Sequence, residues 1–387
     1  MFNFTALPPL SLYIHIPWCV RKCPYCDFNS HAAGEQLPEK NYLKSLFTDL
    51  EHDLPSVWGR TIHSIFIGGG TPSLFSAEAM DELLTGLRMR LAIEPMAEIT
   101  LEANPGAIET GKFAEFRDSG INRLSIGCQS FNDQYLEKLG RIHSGQDAIK
   151  AAEMAHAAGF DSFNLDLMFG LPEQTPKTAM DDIKQAISLS PSHISHYQLT
   201  IEPNTLFHHS PPTLPEDESS WAMQEQCEDL LTNAGFGHYE ISAHAKQGKQ
   251  CQHNLNYWQF GDYLGIGAGA HAKITSAATQ DITRSWKLKH PDAFLAAKAS
   301  EHISGTSILS REDAAFEFMM NALRLKQGFA KALFSERTGL PIHQIGDALQ
   351  LAEQRGLITQ DFSSIVPTEQ GWHFLNDLIA LFLEEAL

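Results

Sequence analysis

The stretch SLYIHIPWCVRKCPYC, Ser11 to Cys26, joins a short β-branched and aromatic run to a loop holding three of the chain's six cysteines. SLYIHI, Ser11 to Ile16, reads as a β-strand. The thiols that follow stand at Cys19, Cys23 and Cys26, a C-x3-C-x2-C spacing. In parallel α/β folds and barrels, the loops at the carboxyl ends of strands carry the chemistry. The meaning of the cysteines therefore depends on whether the rest of the chain supplies such a sheet.

Working outward, strand-like runs recur at HSIFI (His63 to Ile67), EITLE (Glu98 to Glu102), NRLSIG (Asn122 to Gly127), SFNLDLM (Ser162 to Met168) and HISHYQL (His193 to Leu199). Helix-period segments lie between them. In NYLKSLFTDLEHDL, Tyr42, Leu43, Leu46, Phe47, Leu50 and Leu54 recur at three and four. Ser76 and Pro176 are readable helix entrances. Six such strand and helix units in series imply an α/β fold with a parallel sheet and right-handed crossovers. Six is two short of a closed (β/α)8 barrel, so the expectation is a partial (β/α)6 TIM-type barrel.

SPPTLPEDESS, Ser210 to Ser220, reads as a loop or boundary, and HYEISAHA as one further strand. The Gly-rich region from Gln250 to Ser310 leaves its topology open. From Arg311 the pattern turns to helices with a short hairpin, LITQD and SSIVPTEQG, which predicts a smaller helical, winged-helix-like C-terminal domain. The expected division is 1–235 for the partial barrel, 236–305 for a connecting α/β region, and 306–387 for the helical domain.

The 387 residues are 43% hydrophobic and 19% charged, enough apolar material for a large core. No apolar run is long enough for a membrane span, and the N-terminal residues lack the pattern of a secretory leader, so a cytoplasmic protein is expected. Thiols stay reduced there, and clustered cysteines read as ligands rather than disulfides. Acidic residues exceed basic ones by 47 to 28, a formal charge of -19. That balance argues against nucleic acid as a partner, because phosphate contacts need Lys and Arg. The winged-helix-like segment does not escape the argument, since from Arg311 onward eleven acids face six bases.

Two readings of the three cysteines stay open on spacing alone. Structural zinc wants four Cys or His ligands, and here His15 or His31 would have to be the fourth. An iron–sulfur cluster is held by thiolates, and three around a four-iron cubane leave one iron free to bind a small molecule. Other polar residues fall at or just after strand ends. Gly68, Gly69, Gly70 and Thr71 follow the second strand, where glycines allow close backbone approach or simply make a tight turn. Glu102, Gln129 and Asp166 are candidate ligand contacts or plain caps, Arg141 a carboxylate partner or a surface ion pair, and Tyr13 a packing residue of cofactor or core.

The motif Cys19-Val-Arg-Lys-Cys23-Pro-Tyr25-Cys26, with its aromatic residue before the last cysteine, resembles the signature of the radical S-adenosylmethionine (SAM) superfamily. The resemblance implies a [4Fe-4S] cluster on Cys19, Cys23 and Cys26 whose open iron chelates SAM. It implies SAM contacts from Tyr13, Gly69, Gly70, Thr71, Glu102, Gln129, Arg141 and Asp166. Further stretches, IFIGGGTPSLF, EANPG, RLSIGCQSF, LGRIH, FNLDLMFGLPEQT and YQLTIEPNT, are similar to relatives of oxygen-independent coproporphyrinogen III oxidase over about residues 10 to 380.

Within that group two departures weigh against oxidative decarboxylation of coproporphyrinogen III, which stays as the alternative. The oxidase has a further cysteine two residues after the third, where this chain has Phe28, and it depends on an N-terminal extension, whereas about ten residues precede Ser11 here. HNLNYW, His253 to Trp258, resembles the HNxxYW motif of the haem-chaperone branch. That implies haem as a ligand, contacts from His253, Tyr257 and Trp258, and haem-accepting proteins as partners. Read on spacing alone, His253 is rather a hydrogen-bonded core histidine with Tyr257 and Trp258 as packing. Cys251, two residues before His253, is open to a reading as a haem thiolate or attachment point, but like Cys128 and Cys227 it lacks cluster spacing and reads rather as a small, partly buried residue.

Overall fold

The computed structural model describes residues 2–383. The six expected strands are all present: β1 (Leu10–Ile16), β2 (Thr61–Gly69), β3 (Ala92–Ala103), β4 (Arg123–Gln129), β5 (Phe163–Phe169) and β6 (His193–Gln198). They pair in sequence order, every neighbour parallel. Leu10, Leu12, Ile14 and Ile16 of β1 are buried, the near-continuous apolar burial of a strand covered on both faces.

The crossovers are α1 (Glu39–Asp53), α2 (Ala77–Arg88), α3 (Phe113–Ser119), α4 (Gly145–Ala157) and α5 (Pro176–Ser188). Their entrances follow the local chemistry. Ser76 Oγ accepts from the Ala79 N–H at 3.2 Å, and Thr175 caps α5 with Pro176 in the first turn, where a missing N–H costs nothing. The helix α6 (Asp217–Asn233) follows β6 and the Pro-rich segment.

The chain beyond α6 extends the same sheet at both ends, the region of open topology on the β1 side. HYEISAHA, expected as one strand, is two, β7 (Gly237–Glu240) and β8 (Ala243–Ala245), paired antiparallel and joined to β6. In the sequence the apolar residues Tyr239, Ile241, Ala243 and Ala245 alternate straight through the turn and hide it from a period-two reading, although Glu240 and His244 are buried as well. After α7 (Gln252–Trp258), the strand β9 (Asp262–Ile266) lies beside β1, parallel to it. The meander β10 (His271–Ser276), β11 (Asp281–Lys287) and β12 (Ile303–Ile308) follows antiparallel. The result is an open twelve-stranded sheet in which β1 is central and the parallel strands do not close on themselves.

Buried charge ties the two halves together. Lys287 on β11 reaches Asp49 and Asp53 on α1, each at 2.6 Å, and Asp262 on β9 receives Lys273 at 2.9 Å and Arg60 at 2.8 Å. Beyond β12 a second apolar core gathers around Phe318, 5.1 Å from both Phe329 and Phe334. Helices there accompany a three-stranded antiparallel sheet of Phe329–Ala330, Ile358–Gln360 and Ser364–Pro367. Among the described residues no helix is long and apolar enough to cross a membrane.

Candidate functional site

The cysteine loop leaves the carboxyl end of β1 and is pinned at both ends. Trp18 and Cys19 pair with His31 and Ala32 as short parallel strands, and between them the Cys26 N–H donates to the Cys23 carbonyl at 3.2 Å. The turn after β2 packs directly against this loop. The N–H groups of Gly70 and Thr71 donate to the carbonyls of Ile16 (2.8 Å) and Trp18 (2.7 Å). A Cβ on Gly70 would meet the Trp18 carbonyl oxygen at 2.5 Å, and one on Gly69, at φ +119°, would meet the His15 ring at 2.7 Å. The glycines are therefore required for the loop to seat. Their amides are committed to protein, since the Gly69 N–H donates to Glu102 at 3.0 Å.

Cys19, Cys23 and Cys26 line one cavity of about 280 Å³ together with Gly69, Gly70 and Thr71. All three thiols are free, and among the described residues no three Cys, His, Asp or Glu side chains converge on a point as for a single metal ion. Burial raises the Cys19 and Cys26 thiols above their ordinary value, while the Thr71 and Ser30 hydroxyls at Cys19, and the Phe28 backbone and Ser30 at Cys26, oppose it. Arg141 Nη1 lies 3.7 Å from Cys23 Sγ, a cation beside a prospective thiolate.

The opposite wall is acidic. Glu102, Gln129, Arg141 and Asp166 from the ends of β3, β4, β5 and the loop after β4 line the same space. Burial pushes Glu102 up to about 8, with Asp166 adding repulsion against the pull of the Gly69 N–H. Asp166 is also raised by burial, although Asn164 (2.7 Å) and Ser125 (3.0 Å) hydrogen-bond it. Burial raises both carboxyls, Asp166 despite the pull of the Arg123 guanidinium, and such a wall fits a positively charged ligand such as a sulfonium or an ammonium. Arg141 Nη2 donates to Asn104 and to the Gly127 carbonyl at 2.7 Å each, and its buried Nε has no partner among the described residues. Gln129 has φ +66° where β4 shifts register against β5, and its Oε1 accepts from the Tyr197 hydroxyl at 2.6 Å. A bulge with a left-handed residue at a strand end re-aims a side chain, and such strain gathers at ligand sites.

Asn104, Ser125 and Tyr197 are wall residues that the sequence reading missed. Asn104, whose Nδ2 donates to Thr71 at 2.9 Å, links the glycine turn to Arg141. Its only signal was its place in EANPG, two residues past Glu102. Tyr13 is absent from this wall. Its hydroxyl meets His15 Nδ1 at 2.9 Å, and it lines an adjoining cavity with Tyr257 and Tyr263.

HNLNYW forms α7, and its three candidates are not drawn to one surface. His253 is 1% exposed, with Nδ1 3.1 Å from Ser64 Oγ and Nε2 3.0 Å from the Tyr257 hydroxyl. Burial lowers its pKa to about 3, so it is neutral and fully engaged. Trp258 lies under the Arg324 guanidinium, 4.3 Å away, and lines neither cavity. Tyr257 alone reaches the adjoining cavity. Cys128, Cys227 and Cys251 are buried and free.

Comparison with known proteins matches residues 13–186 to the Radical SAM superfamily and residues 309–374 to the HemN C-terminal domain. The heme chaperone HemW of Haemophilus influenzae is 51% identical over 98% of this chain and 99% of its own. That of Escherichia coli is 50% identical over 98% and 99%, and that of Bacillus subtilis 35% over 97% and 99%. The chain belongs to the HemW family of radical SAM proteins. Superfamily membership implies a [4Fe-4S] cluster and SAM, which the thiol-lined cavity and its cation-seeking wall accommodate. The solved coproporphyrinogen III oxidase HemN of Escherichia coli superposes with a TM-score of 0.83 over 98% of this chain and 91% of its own, at 23% identity, a likeness of fold.

Proposed function

We propose that this protein is a haem chaperone: it binds haem, carries a SAM-chelating [4Fe-4S] cluster on Cys19, Cys23 and Cys26, and hands haem to acceptor proteins. The observation that carries the reading is full-length similarity to proteins named heme chaperone HemW, together with Phe28 where the oxidase pattern has a fourth cysteine. The cluster, when bound, supplies an open iron for the SAM amino acid group and an electron for its cleavage. The chain's own residues hold the cofactor in place. Glu102 and Asp166 face its positive groups, Arg141 offers Nε to a carboxylate, and Thr71, Gln129 and the Gly69–Gly70 turn close the walls. Haem contact runs through Tyr257 on the adjoining wall, with His253 as a positioning residue behind the Tyr257 hydroxyl.

Titrating the cluster-loaded protein with haem tests the reading. A saturable Soret band at near one haem per chain is expected, and its absence overturns the proposal. The intact SAM wall favours one second reading, oxidative decarboxylation of coproporphyrinogen III. Product formation in an anaerobic assay with reductant and SAM would support that enzyme instead.

A further inference from the structure

The cluster cavity adjoins a larger one of about 580 Å³, inside the ~300–1,000 Å³ range of small-molecule pockets. Gly69, Glu102, Phe28 and Ser30 line both. The inner wall of the larger cavity is aromatic, with Tyr13, Tyr257 and Tyr263 side by side. Its rim is charged in the opposite sense to the chain as a whole. Lys22 and Lys289 are exposed there against the single exposed carboxylate of Asp27, in a chain of formal charge -19.

Neither lysine has a carboxylate partner among the described residues. Lys22 Nζ donates to the Phe28 carbonyl at 3.1 Å, and Lys289 makes its contact with Asn29 through its own backbone carbonyl. Lys22 sits by His31 and Lys289 by His271, both on the cavity wall. Burial lowers both imidazoles below their ordinary value, with His290 and Lys22 adding to it at His31 and Lys289 and Arg284 at His271, so the positive charge of the rim comes from the lysines. Glu102 at the inner border is pushed up to about 8 and offsets little of it at neutral pH. Phe28 is 63% exposed at the join of the two cavities, a large ring presented to the space rather than packed away.

We propose that this outer cavity is the haem seat, with Lys22 and Lys289 holding the ligand's carboxylates and the exposed Phe28 ring packing on the tetrapyrrole face. Ammonium groups without a carboxylate partner form charge-assisted hydrogen bonds with a ligand's carboxylates, and an aromatic face packs on a flat π-system. The assignment rests on the haem reading and specifies where and by which groups the ligand is held.

Full-length, cluster-loaded protein is titrated with haem and with its dimethyl ester, which lacks the carboxylate charge. Wild type is expected to bind the free acid more tightly than the ester. Lys22→Ala with Lys289→Ala is expected to lose about 10- to 100-fold in haem affinity, with little change for the ester, and Lys22→Arg with Lys289→Arg to restore most of it. Both lysines are exposed, and iron content and the far-ultraviolet spectrum report that the variants fold. Saturable haem binding in wild type that the double alanine variant matches within about twofold overturns this assignment while leaving the haem reading intact. No saturable haem binding in wild type overturns both.

Discussion

The two adjoining cavities share Phe28 and Glu102 but face opposite charge. The inner one, of about 280 Å³, is walled by three thiols, the buried carboxyls of Glu102 and Asp166, and Arg141. The outer one, of about 580 Å³, carries two lysines without carboxylate partners above a wall of tyrosines. One loop, from Cys19 to Ser30, supplies residues to both. Electrostatic sorting within a single opening then becomes possible: Glu102 and Asp166 favour positively charged groups inside, where Arg141 takes one carboxylate, and the lysines favour carboxylates outside, with Phe28 between them.

The largest effect expected inside the inner cavity comes from replacing Cys19, Cys23 and Cys26 together by Ala. Iron per chain after anaerobic reconstitution should fall to near zero, and iron retained at the wild-type level would break the assignment of the inner cavity. Next is Glu102→Gln, which removes the carboxylate a cationic group would meet. SAM affinity should drop by about 10- to 100-fold, the scale of a hydrogen bond to a charged group. The pH dependence sharpens the same point. In the free protein Glu102 is held near 8, so below that it must release a proton to meet a cation. SAM affinity should therefore rise with pH between about 6 and 8 and level off above, and the rise should flatten in the glutamine variant.

A smaller effect is expected at Asn104, which joins Thr71 to Arg141. Asn104→Ala should weaken SAM binding by roughly 5- to 10-fold while iron content stays unchanged, the loss of one neutral and one charge-assisted bond in a wall that otherwise stands. Smallest is Tyr257→Phe, which leaves His253 Nε2 without its partner in a buried site. Urea denaturation should show about 1 kcal/mol lost, with SAM affinity unmoved. A change in SAM binding there would mean that the two cavities are not separable.

The parallel strands and the cysteine loop were legible because each rests on local pattern. β1 through β6 are bounded runs of β-branched and aromatic residues, and the C-x3-C-x2-C spacing lies within eight positions. Legible too were most residues of the inner wall, since a polar residue at the end of a parallel strand has one face of the sheet to occupy. The split of β7 from β8 was not legible, because the apolar residues Tyr239, Ile241, Ala243 and Ala245 alternate in the sequence without a break across the turn. Nor was the place of β9: a five-residue strand more than two hundred positions from β1 pairs with it only through a contact that no local window contains.

His253 shows the limit most clearly. As a residue in HNLNYW it was open to two readings; Tyr257, one turn along the same helix, meets one ring nitrogen, and only the packing of α7 against β2 brings Ser64 to the other and buries the ring. The same holds for the outer cavity. Lys22, Tyr257 and Lys289 are far apart in the chain and carry no shared motif. By itself the sequence determined the parallel α/β architecture, the thiol loop and the family, because periodicity and spacing are properties of neighbours. Only the tertiary structure decided which histidine is engaged, which lysines lack a carboxylate partner and that two cavities adjoin, because burial and charge pairing depend on what the folded chain brings alongside.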